Sequence, residues 1–179
     1  DLTSRLETIR QMVSQTIADV RTLTFELSPP ILHTLGLKAA VDWLAETVRK
    51  QSGRAIDVTI DGSDAALDAD SRGMVFRICS ELLLNVVKHA DANAARVAID
   101  IKDDSIAATI SDDGVGFDPV DWQDGRDPSE RGFGLFSIKE QLRYHGGRFQ
   151  VASHPNQGSA VTINLPLSVT GQAAGEEAS

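Results

Sequence analysis

The spacing of apolar residues predicts a long helix at the start of the chain. Apolar or near-apolar side chains recur at alternating steps of four and three residues between residues 2 and 28, which is the heptad pattern of a helix that packs against other helices. Pro29 and Pro30 follow directly and cannot continue a helix, so we expect it to end near Ser28. Its apolar stripe needs a partner, which is either a second chain, a helix outside this sequence or the rest of the same chain.

Beyond the prolines, helical and alternating patterns follow one another. Gly53 is expected to end the first of these helices, and Lys102-Asp103-Asp104 reads as a hairpin turn between two strands. The patterns predict helices over about residues 35–51, 68–90 and 135–144, and strands over about 55–60, 96–101, 105–110, 148–152 and 160–165. This order predicts an α+β fold, a two-layer α/β sandwich with helices on one face of a mainly antiparallel sheet.

Composition narrows the classes of function. The 179 residues are enough for one compact domain plus an additional element. The net charge of −9 argues against direct, sequence-independent binding to nucleic acid, which needs a basic surface. A single cysteine, Cys79, excludes an internal disulfide framework, fits a reducing compartment and lies in a pattern that predicts a buried helix position.

The ends of the chain suggest a piece of a longer protein. The first residue is Asp1 rather than Met, and neither a signal peptide nor an apolar run of about 18 residues is present. We therefore expect a cytoplasmic segment that contacts a membrane only through the parent chain, if at all. The small, acidic residues 169–179 are expected to be disordered.

One acidic, glycine-rich motif follows a predicted strand. It reads Asp112-Asp113-Gly114-Val115-Gly116, and its two glycines allow a tight bend and a close approach of backbone to ligand. A carboxylate at the head of the bend can accept hydrogen bonds from the amino group of a purine. By itself the motif is also compatible with a plain turn, in which Asp113 would have only a local role.

A predicted helix carries four polar residues at helical spacing. Glu81, Asn85, Lys88 and His89 fall on one face or its edge, which is equally the pattern of a solvated surface. The oxygen of Asn85 is a suitable ligand for a hard cation such as Mg²⁺, and Lys88 would meet a phosphate as a point charge.

Glycines mark two further segments. The polar residues 117–134 have the length of a lid, and Gly132-Phe133-Gly134-Leu135 is expected to lead into a helix. The amides of Gly132, Gly134 and Leu135 would then lie at a helix N-terminus, where anions bind. Gly158 and Ser159 precede the last predicted strand.

Together these motifs resemble the ATP-binding domain of sensor histidine kinases, in the superfamily shared with gyrase, Hsp90 and MutL. Residues 81–90 resemble the N box, residues 112–116 the G1 box, residues 132–134 the G2 box, and residues 158–159 the final glycine element. Residues 21–32 and 35–40 are similar to the segment that joins the second dimerisation helix to the catalytic domain in the NarX/DesK type. The resemblance extends from about Ser4 to Pro166.

The resemblance implies a Bergerat-type ATP-binding fold and a role for each matched residue. Asn85 would hold Mg²⁺, Glu81 would orient a metal-bound water or act as a base, and Lys88 and His89 would meet phosphates or ribose. Asp112 would accept the adenine amino group, and Gly114 and Gly116 would leave room for the base. The hydroxyl of Ser159, where the family often has threonine, would join the adenine network.

The resemblance also implies a division of the chain and a set of partners. Residues 1–30 would form the second helix of the dimerisation region with its linker, residues 31–168 the catalytic domain, and residues 169–179 the tail. The resemblance favours a homodimer through residues 2–28, over packing within one chain. The chain would bind ATP and ADP and transfer the γ-phosphoryl to a histidine, for relay to the receiver domain of a response regulator.

No histidine in the chain has the context expected of the phosphoryl acceptor, which is typically followed by an acid. The four histidines are followed by other residues, in the pairs His33-Thr34, His89-Ala90, His145-Gly146 and His154-Pro155. We expect the acceptor on a preceding helix outside this sequence. Two alternatives stay open, an anti-sigma-factor-type serine kinase and a nucleotide-binding dimerisation module without transferase activity.

Overall fold

The computed structural model describes residues 29–65, 67–119 and 130–167. The predicted helix over residues 2–28, most of the predicted lid and the tail of residues 169–179 lie outside these ranges. The described elements are α1 (Pro30–Ser52), β1 (Ala55–Asp61), α2 (Ala69–Asn85), a π-helical turn (Val86–Ala90), β2 (Ala94–Ile101), β3 (Ser105–Asp112), α3 (Glu130–Tyr144), β4 (Arg148–Ser153) and β5 (Ser159–Pro166).

The five strands form one sheet in the spatial order β1–β2–β3–β5–β4. β1 and β2 are parallel, with α2 in the connection between them, and the other three pairs are antiparallel. Every second residue of the central strands is buried, and the helices contact the sheet from the side to which those residues point. These findings confirm the α+β sandwich with helices on one face of a mainly antiparallel sheet.

The helices differ from the predicted ones mainly at their starts. α1 begins at Pro30 rather than near Leu35, because proline is well suited to the first turn of a helix, where its missing N–H is not needed. α2 begins where expected, with Asp68 accepting a hydrogen bond from the Ser71 N–H at 2.7 Å as its N-cap. The predicted helix over residues 68–90 keeps α-helical geometry only to Asn85 and then widens into the π-helical turn.

The core lies between the three helices and the sheet. Its largest fully buried side chain is Phe76 of α2, and Cys79 on the same helix is also fully buried, as predicted. Burial raises the pKa of the Cys79 thiol to about 12, so the thiol stays protonated at neutral pH. None of the helices in the described ranges is both long and apolar enough to cross a membrane.

A sharp break divides α1 at Gly36. This buried residue has φ 86° and ψ −177°, a combination that is essentially restricted to glycine. The helix restarts after it, and the carboxylate of Asp64 accepts hydrogen bonds from the N–H groups of Leu37 and Lys38. A loop residue distant in sequence thereby caps the restarted helix, and Gly36 leaves the space that this carboxylate occupies.

We expect Gly36→Ala to lower the free energy of unfolding by about 2–4 kcal/mol, because the new Cβ would adopt a disfavoured conformation and collide with the Asp64 carboxylate. Gly53→Ala is the matched control. Gly53 also has a positive φ, of 70°, yet among the described residues no atom beyond its chain neighbours lies within 4 Å of the position its Cβ would take. That change should cost only about 1 kcal/mol. Urea unfolding of both variants tests this, and equal losses would contradict the capping role of Asp64.

Candidate functional site

A cleft opens between α2 with its π-helical turn, the neighbouring ends of β3 and β5, and the beginning of α3. Its polar lining consists of Asn85, His89, Asp112 and Ser159, and the Gly116 backbone also borders it. The apolar lining comes from Leu82, Val86, Ala90, Ile110, Phe117, Leu135 and Val161. A mainly apolar cleft with a few convergent polar groups is typical of a site for a small organic ligand.

Asp112 is fixed in the cleft by its strand register. It ends β3 and lies directly opposite Ser159, the first residue of β5. The Ser159 hydroxyl donates to one carboxylate oxygen, and the Gly114 N–H donates to the other at 2.9 Å. Since a carboxylate offers about four acceptor positions, the group keeps capacity to accept a hydrogen bond from a ligand amino group.

The glycine loop after Asp112 is held from both sides by backbone hydrogen bonds. The Val115 N–H donates to the Ala90 carbonyl at 2.7 Å, and the Val115 carbonyl accepts from the Asn156 N–H at 2.6 Å. A Cβ on Gly114 would collide with the carbonyl of Ala90, and one on Gly116 with that of His154. The two glycines therefore permit close packing of the loop against protein backbone on both sides, whereas the sequence analysis predicts an approach of the loop to a ligand.

Asp113 lies next to Asp112 but has a different environment. Its carboxylate is exposed and accepts hydrogen bonds from the N–H groups of Asn93 and Ala94, at 2.8 and 2.9 Å. The hydrogen bond from Ala94 is the largest of the effects that lower the pKa of Asp113, and the charge of Arg54 acts in the same direction. Asp113 thus ties the loop to the start of β2, away from the cleft.

The four polar residues of the second predicted helix do not share one environment. Asn85 and His89 line the cleft, whereas Lys88 is exposed and is not part of the lining. The physical reason is the π-helical turn, which begins directly after Asn85 and changes the angular spacing of the residues that follow. Glu81 is half-buried one turn earlier, and its carboxylate fills the space beside Gly134 where a larger side chain would not fit.

The amide of Asn85 fits the ligand set of a hard cation. Its Nδ2 atom is buried and is the one such side-chain atom in the described part of the chain without a hydrogen-bond partner. A buried amide group without a hydrogen-bond partner destabilises the folded protein unless a bound ligand interacts with it. A rotation of the terminal amide group by 180° exchanges the positions of Nδ2 and Oδ1. The amide would then present an oxygen, the ligand atom that Mg²⁺ prefers. The Glu81 carboxylate lies close by and would be a second oxygen ligand.

The beginning of α3 differs from the prediction. The helix starts at Glu130 rather than Leu135, since charged residues with good helix propensity precede the glycines. Only the first few N–H groups of a helix remain free for a ligand. Gly132 lies in that first turn, whereas Gly134 and Leu135 lie further along, where helical hydrogen bonds use the N–H groups. Leu135 instead borders the cleft as a buried apolar residue.

Sequence reasoning missed the apolar walls and one buried hydroxyl. Leu82, Val86 and Ala90 line the cleft, and their spacing of four residues is a pattern that predicts one apolar stripe along a helix. The buried hydroxyl belongs to Ser153. It is 4% exposed, accepts from the Phe117 N–H at 2.8 Å and donates to the Gly158 carbonyl at 3.1 Å. No local sequence signal identifies such a residue.

A comparison with protein families matches residues 70–169, more than half of the chain, to the family described as histidine kinase-, DNA gyrase B- and HSP90-like ATPases. All of the residues discussed above that line the cleft fall inside this match.

Comparisons with individual proteins also find histidine kinases. The chain is 32% identical over 92% of its length to an uncharacterised sensor-like histidine kinase of Chloroflexus aurantiacus, and 31% identical over 93% to the oxygen sensor histidine kinase NreB of Staphylococcus carnosus. It spans only 28% and 47% of the length of these relatives. The histidine kinase domain of the blue-light-activated histidine kinase of Erythrobacter litoralis shares the fold, with a TM-score of 0.55, 24% identity, and coverage of 74% of this chain and 61% of that domain.

We expect Asp113→Asn to reduce stability near neutral pH and to have a smaller effect in acid. The lowered pKa of Asp113 means that its stabilising effect is complete above the ordinary value of 3.8 and is lost as the pH falls through the lower folded value. Urea unfolding of the wild type and the variant from about pH 6 to about pH 3 measures this. Asp103→Asn, in the exposed hairpin, makes the same charge change. A pH-independent difference at Asp113 would contradict the assignment.

Proposed function

Because this chain belongs to the family of histidine kinase-, DNA gyrase B- and HSP90-like ATPases and its relatives are sensor histidine kinases, we propose that its cleft binds ATP for transfer of the γ-phosphoryl group to a histidine. The observation that carries the proposal is the Asp112 carboxylate, held by Ser159 and Gly114 at one end of an apolar cleft with the Asn85 amide at another position on its wall.

The proposed adenine position lies between the apolar walls next to Asp112. The remaining acceptor positions of its carboxylate suit the exocyclic amino group, and the flat base would pack against side chains such as Ile110 and Val161. The fixed orientation of the carboxylate supports selectivity for adenine over guanine, which carries a carbonyl at the corresponding position and would leave the acid facing an acceptor.

The proposed phosphate position lies towards Asn85, His89 and the first turn of α3. Asn85 and the nearby Glu81 would hold Mg²⁺, which neutralises phosphate charge when it is bound. His89 borders the cleft and would orient the phosphates or the ribose, and the Gly132 N–H would donate from the first turn of α3. Lys88 would act from the exposed rim as a point charge. Phosphoryl transfer depends mainly on this kind of positioning and charge neutralisation.

The acceptor histidine and the partners of the proposed kinase lie outside this chain. His33, His145 and His154 are exposed, His89 borders the cleft, and none is followed by an acid. We propose that the acceptor lies on a preceding helix, that the protein forms a homodimer through residues 2–28, and that the phosphoryl group passes to the receiver domain of a response regulator. Residues 31–168 would be the catalytic domain, acting in the cytoplasm.

Calorimetric titration of the chain with ADP, with a non-hydrolysable ATP analogue and with GDP tests the site. We expect saturable binding of the adenine nucleotides only. Asp112→Asn should weaken ADP binding roughly tenfold to a hundredfold, because a charged hydrogen-bond partner is worth about 1.5–3 kcal/mol. Asp103→Asn makes the same substitution in an exposed hairpin and should bind like the wild type. Unchanged ADP affinity in Asp112→Asn would refute the adenine assignment.

Titration of ADP with and without Mg²⁺ separates the proposed metal position from the adenine position. Asn85→Ala should remove the gain in affinity that Mg²⁺ gives the wild type, while metal-free ADP binding changes little. The exposed Asn164 on β5 supplies a control, since Asn164→Ala removes an amide far from the cleft. If Asn85→Ala kept the full Mg²⁺ effect, the metal would have to bind elsewhere.

A further inference from the structure

Arg54 lies behind the cleft, at the junction of α1 and β1. It is half-buried and is not part of the cleft lining. Its Nη1 atom donates a hydrogen bond to the carbonyl of Val86 at 2.6 Å, across 32 residues of sequence. The next residue, Ala55, donates its N–H to the Asn93 carbonyl at 3.1 Å. The start of β1 thus contacts both ends of the segment that contains the π-helical turn.

The π-helical turn receives a side-chain hydrogen bond from outside the helix, the one that Arg54 donates to Val86. Such turns are rare and occur mostly as single turns inside α-helices, frequently at functional sites. This one runs from Val86 to Ala90 and ends at Asp91, a non-glycine residue with φ 49°. If the turn relaxed to α-helical geometry, the residues after it would rotate about the helix axis by roughly 100°, the angle of one residue. The N–H groups of Asn93 and Ala94, which bind the Asp113 carboxylate, would then move relative to the glycine loop.

The same segment is also attached to the glycine loop. The Ala90 carbonyl accepts the Val115 N–H, and the Asp113 carboxylate accepts the N–H groups of Asn93 and Ala94. The charge of Arg54 is the smallest of the effects that lower the pKa of that carboxylate. Arg54 therefore contacts the turn that follows Asn85 directly, and it acts on the loop that follows Asp112 mainly through the hydrogen bonds between the turn and the loop.

We propose that Arg54 is a positioning residue for nucleotide binding, which holds the π-helical turn and the glycine loop in the arrangement where Asn85, His89 and Asp112 face one cleft. A charge-assisted hydrogen bond from a planar guanidinium to the Val86 carbonyl suits this role, because it is strong and fixes direction as well as distance. The inference rests on the proposed function of the cleft.

The test compares Arg54→Met, Arg54→Lys and wild type in the 179-residue chain. Methionine keeps much of the aliphatic stem without the charge, and lysine keeps the charge and a donor. Arg77→Met is the matched control, since Arg77 is exposed on α2. ADP affinity is measured with and without Mg²⁺, and hydrogen exchange is followed at the amides of residues 86–90. Urea unfolding gives the folded fraction of each variant.

We expect Arg54→Met to bind ADP at least tenfold more weakly while folded, to lose most of the Mg²⁺-dependent gain and to exchange faster at residues 86–90. Arg54→Lys should recover most of the affinity, and Arg77→Met should match the wild type. Wild-type affinity in Arg54→Met would overturn the inference and leave the proposed function intact. The inference would also be overturned if the loss of ADP binding in Arg54→Met were fully explained by its unfolded fraction and if Arg54→Lys did not recover the affinity. Absence of ADP binding to the wild type would overturn both.

Discussion

The register between β3 and β5 is the constraint on which the cleft depends. It places Asp112 opposite Ser159 and Ile110 opposite Val161, so the polar pair and the apolar floor come from the same ladder. Because side chains alternate between the two faces of a strand, a slip of one residue would turn the buried residues of β3 to solvent and Asp112 to the wrong face of the sheet. Burial of the apolar residues therefore selects the orientation of the carboxylate, and the energy that folds the domain also sets the geometry of its site.

The loop beside this pair is organised before any ligand arrives. Its backbone donors and acceptors are paired with the π-helical turn on one side and with the connection between β4 and β5 on the other, through residues such as Ala90 and Asn156. A ligand that enters the cleft does not have to order the loop, which lowers the entropic cost of binding. The buried amide of Asn85 contrasts with this arrangement, since its Nδ2 has no partner among the described residues. The loop next to Asp112 therefore has its hydrogen bonds formed within the protein, whereas the amide of Asn85 still lacks a partner that a ligand could supply.

Sequence patterns predicted the fold and the polar side chains that line the cleft, but not its apolar walls or the geometry that joins the two. Alternation identified the strands, and Gly53 ended its helix with φ 70° as expected. The π-helical turn has no periodic signal in the sequence, because one additional residue per turn cannot be distinguished within five residues, and so spacing alone does not separate the exposed Lys88 from Asn85 and His89. α3 starts five residues before the predicted boundary, because its glycines lie inside the helix and do not precede it. The contact between Arg54 and Val86 depends on tertiary structure and has no local signature.

The burial of Cys79 has a practical consequence for spectroscopy. The chain has a single cysteine, and its thiol is enclosed in the core with a pKa of about 12, so it is a poor nucleophile under native conditions. A cysteine introduced at the exposed hairpin between β2 and β3 would be the sole reactive thiol of the folded protein. Fluorophores or spin labels can therefore be attached at one chosen position without first removing a native residue from the core, and the distances they report would refer to an unperturbed fold.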